Sequence, residues 1–309
     1  MDMYQKREMR KNKKMDKSEK SLPSTSINWY PGHMAKTKRE IKENLQLIDV
    51  VYELLDARIP YSSKNKDIDE LIKNKPKILI MTKTDLCDLE ITKKWQQYYE
   101  NMGYKVILTD LINNKNIKQI IEVTSSLSDN MNKKRLSLGM KPRKTRVLIL
   151  GVPNVGKSTL INRLVGKKAA PTGDKPGITK KLNWIRINDK LELLDTPGIL
   201  EPKLENKEVA LNLAALTSIK EEVLDLEQVA LHIIDKMLNL YPNTLKTRYN
   251  LTNTNTPLII LNQIAKQKGA IKKGEVDYEK VYKIILRDLK EGYLGNITFD
   301  PFDNKNILP

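Results

Sequence analysis

The stretch GVPNVGKST, residues 151–159, decides the fold. It fits G-x-x-x-x-G-K-[S/T]. It lies between an apolar run, RVLIL at 146–150, and an amphipathic segment at 157–166. Strand, glycine loop and helix in that order make a phosphate cradle. The glycines let backbone N–H groups turn inward, and the helix N-terminus adds partial positive charge. Asn154, Val155, Gly156, Lys157, Ser158 and Thr159 line such a cradle. Lys157 is placed to reach the β- and γ-phosphates and Ser158 to ligate Mg2+.

Downstream, DTPG at 195–198 follows the apolar run LELL. Asp195 at a strand end suits Mg2+ held through water, and the Gly198 N–H suits a γ-phosphate contact. Between the two motifs, GDKPGIT at 173–179 is a Gly/Pro-rich loop whose Thr179 can close over Mg2+ and the γ-phosphate. Upstream, TKTD at 82–85 ends the run KILIM and is similar to the guanine-specificity motif N-K-x-D. Asp85 would accept from the guanine N1–H and amino group, and the Lys83 stem would pack over the ring. Thr82 stands where Asn is usual. A base motif normally follows the phosphate loop, and here it precedes it. Circular permutation explains that order: the strands keep their places in one sheet while the termini open elsewhere.

The surrounding pattern is doubly wound α/β. Val50–Asp56 (VVYELLD), Lys77–Thr82 (KILIMT) and 105–109 (KVILT) read as buried parallel strands. Helices are expected at 35–47, 64–74, 89–102 and 114–132, a basic linker at 133–144, and strands at 183–187 and 191–195. From about 205 the pattern becomes helical. Leu226, Val229, Ala230, Ile233, Ile234, Met237, Leu238 and Tyr241 follow helical spacing, and 276–291 repeats it without a strong strand signal. The expected organisation is a disordered basic tail at 1–27, an α/β domain at 28–204 and an all-helical domain at 205–309.

Composition narrows the partners. The 309 residues include 55 Lys and Arg against 38 Asp and Glu, a net charge of +17, which favours a polyanion. Residues 205–309 are neutral, so the excess lies in the tail, the 133–146 run and the segment after the phosphate loop. Lys141, Arg143 and Lys144 are therefore expected to contact RNA. A single cysteine, Cys87, excludes a disulfide framework and a Cys-based zinc finger; two histidines, His33 and His232, exclude a His cluster. No apolar run approaches the length of a membrane span, and no secretory h-region opens the chain. A cytoplasmic protein is expected.

NWYPGHMAK (28–36), VYELLDARIP (51–60), TKTD, GVPNVGKSTLINRL, TGDKPGIT and LLDTPGIL occur in that order. Together they closely resemble the ribosome biogenesis GTPase A (YlqF) family of circularly permuted GTPases. The resemblance covers roughly residues 27–300. It implies a Mg2+-dependent GTPase that binds GTP and GDP. It further implies a role in late maturation of the large (50S) ribosomal subunit, stimulation by that particle, and rRNA contact by the helical domain. DNA and membrane are not implied as partners, and a monomer is expected. The resemblance also gives His33 a catalytic role and Asn154 a K+ contact. Ile199 follows DTPG where many GTPases have a water-orienting Gln, so the chain needs such a group from elsewhere. His232, on an amphipathic helix, reads as structural. Arg58 either contacts an anion or pairs with Asp56. The region 108–114 (LTDLINN), where a Ser/Ala-type base-contacting loop is expected, has no clear serine.

Two rival readings separate cleanly. A passive RNA-binding scaffold with a vestigial site would tolerate loss of Lys157. A small-subunit factor of this permuted class would add an OB-fold or a zinc module, neither of which the sequence suggests.

Overall fold

A computed structural model describes residues 32–72, 75–170, 182–200, 206–216 and 225–303. The tail 1–27, the loop with Thr179 and the 204/205 boundary fall outside these residues. α1 (Gly32–Asn44) and a 3-10 turn (Leu45–Leu47) lead into β1 (Val50–Asp56). Then follow α2 (Lys66–Leu71), β2 (Lys77–Thr82), α3 (Leu89–Asn101), β3 (Lys105–Leu108), α4 (Ile117–Ser137), β4 (Thr145–Gly151) and α5 (Lys157–Val165). β5 (Asn183–Arg186) and β6 (Leu191–Asp195) complete a six-stranded sheet of order β3-β2-β1-β4-β6-β5. Every pairing is parallel except β5 with β6.

β1 is buried along its whole length because it lies between β2 and β4 with helices on both faces. That explains its near-continuous apolar run, within which its acids need partners. Glu53 is buried, and Lys77 Nζ meets its carboxylate at 2.8 Å, as a charge in a low-dielectric interior requires. β1 separates the base-motif strand β2 from the phosphate-loop strand β4. All three run parallel, so both motifs emerge at the same sheet edge. The reversed chain order therefore leaves the motifs adjacent in space.

The helical part contains α6 (Lys207–Ala215), α7 (Leu226–Leu240), α8 (Pro242–Tyr249), α9 (Pro257–Lys268) and α10 (Tyr278–Lys290). Asp225, Thr256 and Asp277 cap α7, α9 and α10 through side-chain acceptors. One apolar cluster runs from Val50 and Ile149 through Ala214 to Ile233, Ile285 and Phe299. Its continuity fixes the helices against the sheet.

Three local expectations change. The helix expected at 114–132 runs on to Ser137, so the first residues of the basic run are helical. Lys134 and Arg135 there lie in its last turn, where cations are stabilised by the negative end of the helix dipole. A short hairpin, β7 (Ile271–Lys272) with β8 (Glu275–Val276), interrupts the helices. Two-residue strands are too short to give an alternating signal. The first helix starts at Gly32 rather than 35, so His33 falls in its first turn; the His33 side chain is outside the described ones.

Candidate functional site

The phosphate loop turns where β4 ends. Gly156, at φ +105°, is the N-cap of α5, a backbone conformation that needs glycine. A side chain there would also meet Leu111 Cδ1 at 3.1 Å and Thr82 at 3.8 Å. The loop's last glycine thus lies against both the base motif and the 108–114 region. Asn154 takes φ +58°, which Asn tolerates better than most residues.

Lys157 is buried at the start of α5. Its Nζ donates to Gly151 O at 3.0 Å and to Val152 O at 2.9 Å. Burial pushes its ammonium down to about 8, against an opposing pull from Asp195. Asp195 ends β6 in the buried interior. Ser158 and Thr159 are half-buried on the first turn of α5.

Gly198 approaches the phosphate loop so closely that a Cβ there would lie 2.7 Å from Pro153 Cα and N. Ile199 N donates to Gly151 O at 3.1 Å, fastening the segment after β6 to the loop. Ile199 itself is fully buried among Ile41, Leu148, Leu150 and Leu194, and Leu200 is buried as well. The position where many GTPases carry a Gln is therefore a core position. It cannot orient water.

Thr82 answers the substitution in the base motif. Its hydroxyl lies 2.6 Å from Val155 O and 3.2 Å from Leu55 O, and the single proton goes to the nearer carbonyl. A threonine thus braces the base motif to the phosphate loop. Lys83 holds φ +60°, and its Nζ meets Asp56 Oδ2 at 2.9 Å. Asp85 is half-buried; burial raises its carboxyl and the nearby Asp110 charge raises it further.

Two parts of the site were open in the sequence and are built in the fold. Arg58 pairs with Asp56 through Nε–Oδ1 at 3.0 Å and Nη2–Oδ2 at 2.9 Å, which decides between the two readings left open for it. Burial alone would raise the Asp56 carboxyl, but Arg58 and Lys83 outweigh it and hold it well below the usual carboxylate range. The sequence hint was the spacing of Asp56 and Arg58 in DARIP; the reach of Lys83 to the same carboxylate is visible only in the fold. Second, the 108–114 region is a built turn. Asp110 Oδ1 accepts from Ile112 N at 2.9 Å and Asn113 N at 3.0 Å, and Arg163 Nε on α5 donates to Leu111 O at 2.8 Å. An aspartate makes this turn, so a search for serine could not find it.

The 133–146 run also divides. Lys133, Lys134 and Lys141 are exposed. Arg143 is not a free cation: Nη1 and Nη2 bind the Asp49 carboxylate at 2.7 Å each. Arg146 Nε meets Glu192 Oε1 at 2.5 Å. His232, pushed down to about 4 mainly by burial, is neutral and bonds Asn212 Oδ1 at 2.8 Å.

The comparisons agree with this geometry. A family model described as a 50S ribosome-binding GTPase matches residues 146–263, beginning at the phosphate-loop strand. The ribosome biogenesis GTPase A of Bacillus licheniformis is 43% identical over 89% of this chain and 98% of its own. The chain belongs to the ribosome biogenesis GTPase A family. The family member from Thermotoga maritima is 30% identical over 89% of this chain and 94% of its own. The crystal structure of GNP-bound YlqF from T. maritima has a TM-score of 0.64 and 28% identity, covering 86% of this chain and 98% of the other. A GDP-bound form of that protein matches with a TM-score of 0.61. The mouse mitochondrial ribosome-associated GTPase 1 is 32% identical over 91% of both chains. As in this family, the fold is a permuted P-loop GTPase sheet joined to a helical part. The family model begins after the TKTD motif, as permutation requires.

Proposed function

We propose that this chain hydrolyses GTP to GDP and phosphate as an assembly factor for the large (50S) ribosomal subunit, engaging its precursor and rRNA according to nucleotide state. The observation that carries the reading is the convergence of TKTD, GVPNVGKST and DTPG at one sheet edge, with Thr82 bonded to the phosphate loop.

Asn154, Val155, Gly156, Lys157, Ser158 and Thr159 hold the phosphates, with Gly198 at the γ-phosphate. Lys83 and Asp85 hold guanine, while Thr82 positions them. Lys157 binds phosphate as the ammonium. A phosphate beside it restores the charge that burial discourages. The Ser158 hydroxyl and Asp195 carboxylate are hard oxygen donors, a set that fits Mg2+, with Thr179 as a further donor on the loop outside the described residues. Mg2+, when bound, neutralises charge developing on the phosphoryl oxygens. Asn154 is the family's K+ position.

His33 orients the attacking water. Ile41, eight residues later on α1, packs in the same cluster as Ile199. That spacing is roughly 12 Å along a helix. α1 is thus anchored beside the segment whose own side chains cannot do the work. The GTP-bound state binds the particle until hydrolysis releases it. Exposed Lys133, Lys134 and Lys141 supply contact to RNA from the GTPase side, with residues 205–309 as a second contact.

Among the described residues no helix is long and apolar enough to cross a membrane. The proposed setting is the cytoplasm, with the chain acting as a monomer. Co-sedimentation with large-subunit precursors tests the switch: a non-hydrolysable GTP analogue should retain the chain on particles and GDP should not. Equal pelleting in both nucleotides would refute it.

A further inference from the structure

The base-motif turn is gripped from two sides. Thr82 faces the phosphate loop, as described. On the other side the chain after α10 runs alongside. Ile297 N donates to Leu86 O at 3.1 Å, one residue beyond Asp85, and Phe299 N donates to Arg58 O at 2.8 Å. Arg58 Nη1 also reaches Lys290 O, at the end of α10, at 3.5 Å.

The end of this strap is locked by a buried carboxylate. Asp300 Oδ2 accepts from Tyr61 N at 2.8 Å and Ser62 N at 2.7 Å; Oδ1 accepts from Ser62 Oγ at 2.6 Å and Asn212 Nδ2 at 2.9 Å. Trp95 Nε1 donates to Asp300 O at 2.9 Å. These partners lie on the segment after β1, on α6 and on α3. The strap therefore spans the two halves of the molecule immediately behind the base motif.

Asp56 joins the two grips. It is buried, and its carboxylate accepts from Arg58 N at 3.1 Å, from Arg58 Nε and Nη2 and from Lys83 Nζ. Lys83 sits in a backbone conformation that a lysine adopts only when its surroundings hold it there. Asp56 supplies that hold, and Arg58 fixes Asp56 while its carbonyl carries the strap. Neither residue needs to touch a nucleotide to matter to it.

We propose that Asp56 and Arg58 are positioning residues of the guanine site, and that through them and the Leu86–Ile297 contact nucleotide binding is linked to docking of the strap Ile297–Asp300. The proposal rests on the reading of TKTD as the base motif. Linkage is reciprocal: nucleotide that fixes Lys83 favours the docked strap, and a docked strap favours nucleotide. GDP and GTP act alike here, because the guanine end carries the coupling.

The test uses the full chain and GDP. Exchange of the Ile297 and Phe299 amides is measured with and without saturating GDP, alongside the GDP Kd. In the unsubstituted chain GDP should slow both amides about tenfold. Asp56→Asn should weaken GDP binding about tenfold and abolish that slowing even at saturation; Arg58→Ala should do the same, with partial recovery in Arg58→Lys. Asp300→Asn perturbs the lock away from the nucleotide. It should speed exchange at both amides and weaken GDP about fivefold. A folded Asp300→Asn chain with faster exchange but unchanged GDP affinity overturns the linkage, as does exchange indifferent to GDP in the unsubstituted chain. Asp85→Asn separates the underlying reading. It should shift preference from GDP to xanthosine diphosphate, whose C2 carbonyl suits an amide donor. If that shift is absent, the base-motif reading itself fails, whatever the exchange data show.

Discussion

Replacing Lys157 with Met should change how stability depends on pH, and in a direction fixed by the buried ammonium. Lys157 is pushed down to about 8 in the folded chain from an ordinary 10.5. The folded state therefore binds this proton less tightly than the unfolded state. The resulting penalty is fully present below pH 8 and is relieved as pH rises towards the unfolded value. Its full size is about 3 kcal/mol at 1.36 kcal/mol per pKa unit, and most of it is relieved between pH 7 and pH 10. Met removes the penalty along with the bonds to Gly151 O and Val152 O. Val152 O then has no donor, which costs about 1–3 kcal/mol, while Gly151 O keeps the bond from Ile199 N. At pH 7 the gain and loss partly offset one another. The informative quantity is the slope. Urea unfolding of both chains at pH 7, 8, 9 and 10 should show the unsubstituted chain gaining about 2–3 kcal/mol on the variant across that range. Other titrating groups cancel in the difference. Saturating GDP should remove most of the slope, because phosphate holds the ammonium charged. A pH-independent difference without nucleotide would refute the placement of Lys157 as a buried, depressed amine.

Further outcomes follow from named contacts. Thr82→Val keeps the shape but removes the donor to Val155 O; it should lower stability by about 1–3 kcal/mol and weaken GDP, seen by urea unfolding and nucleotide titration. Unchanged GDP affinity would mean the hydroxyl braces nothing of consequence. His33→Ala should leave GTP binding nearly intact and cut particle-stimulated turnover about a hundredfold, a typical contribution for a positioned general base. Full stimulated activity would remove His33 from the chemistry. Joint reversal of Lys133, Lys134 and Lys141 to Glu should weaken particle binding and flatten its salt dependence. If neither moves in salt-dependent pelleting, that run is only a solvated surface.

Local patterns carried much of the fold. VVYELLD reads as buried because a doubly covered strand has no polar face to show, and β1 is that strand. The permutation was legible because motif order is a property of the chain, while motif proximity follows from sheet topology. The strap was not legible. ITFDPFD has no helical or strand period, and Asp300 finds its partners at Tyr61, Ser62 and Asn212, far away in sequence. Arg58 and Arg143 show the same limit. A basic residue in sequence is a free charge until a partner is assigned, and Asp56 and Asp49 took both. Ile199 is a simpler case: an aliphatic side chain has no hydrogen bond to offer, wherever it points, and the fold buries it.

The motifs split by permutation are proposed to form one GTP-hydrolysing site that answers to the large ribosomal subunit. The most direct measurement is steady-state GTP turnover by the purified chain, with and without large-subunit precursor particles, beside Lys157→Met under the same conditions. Turnover should be slow alone, rise markedly with particles, and show no rise in the variant. Equal turnover with and without particles, or stimulation that survives loss of Lys157, would contradict it.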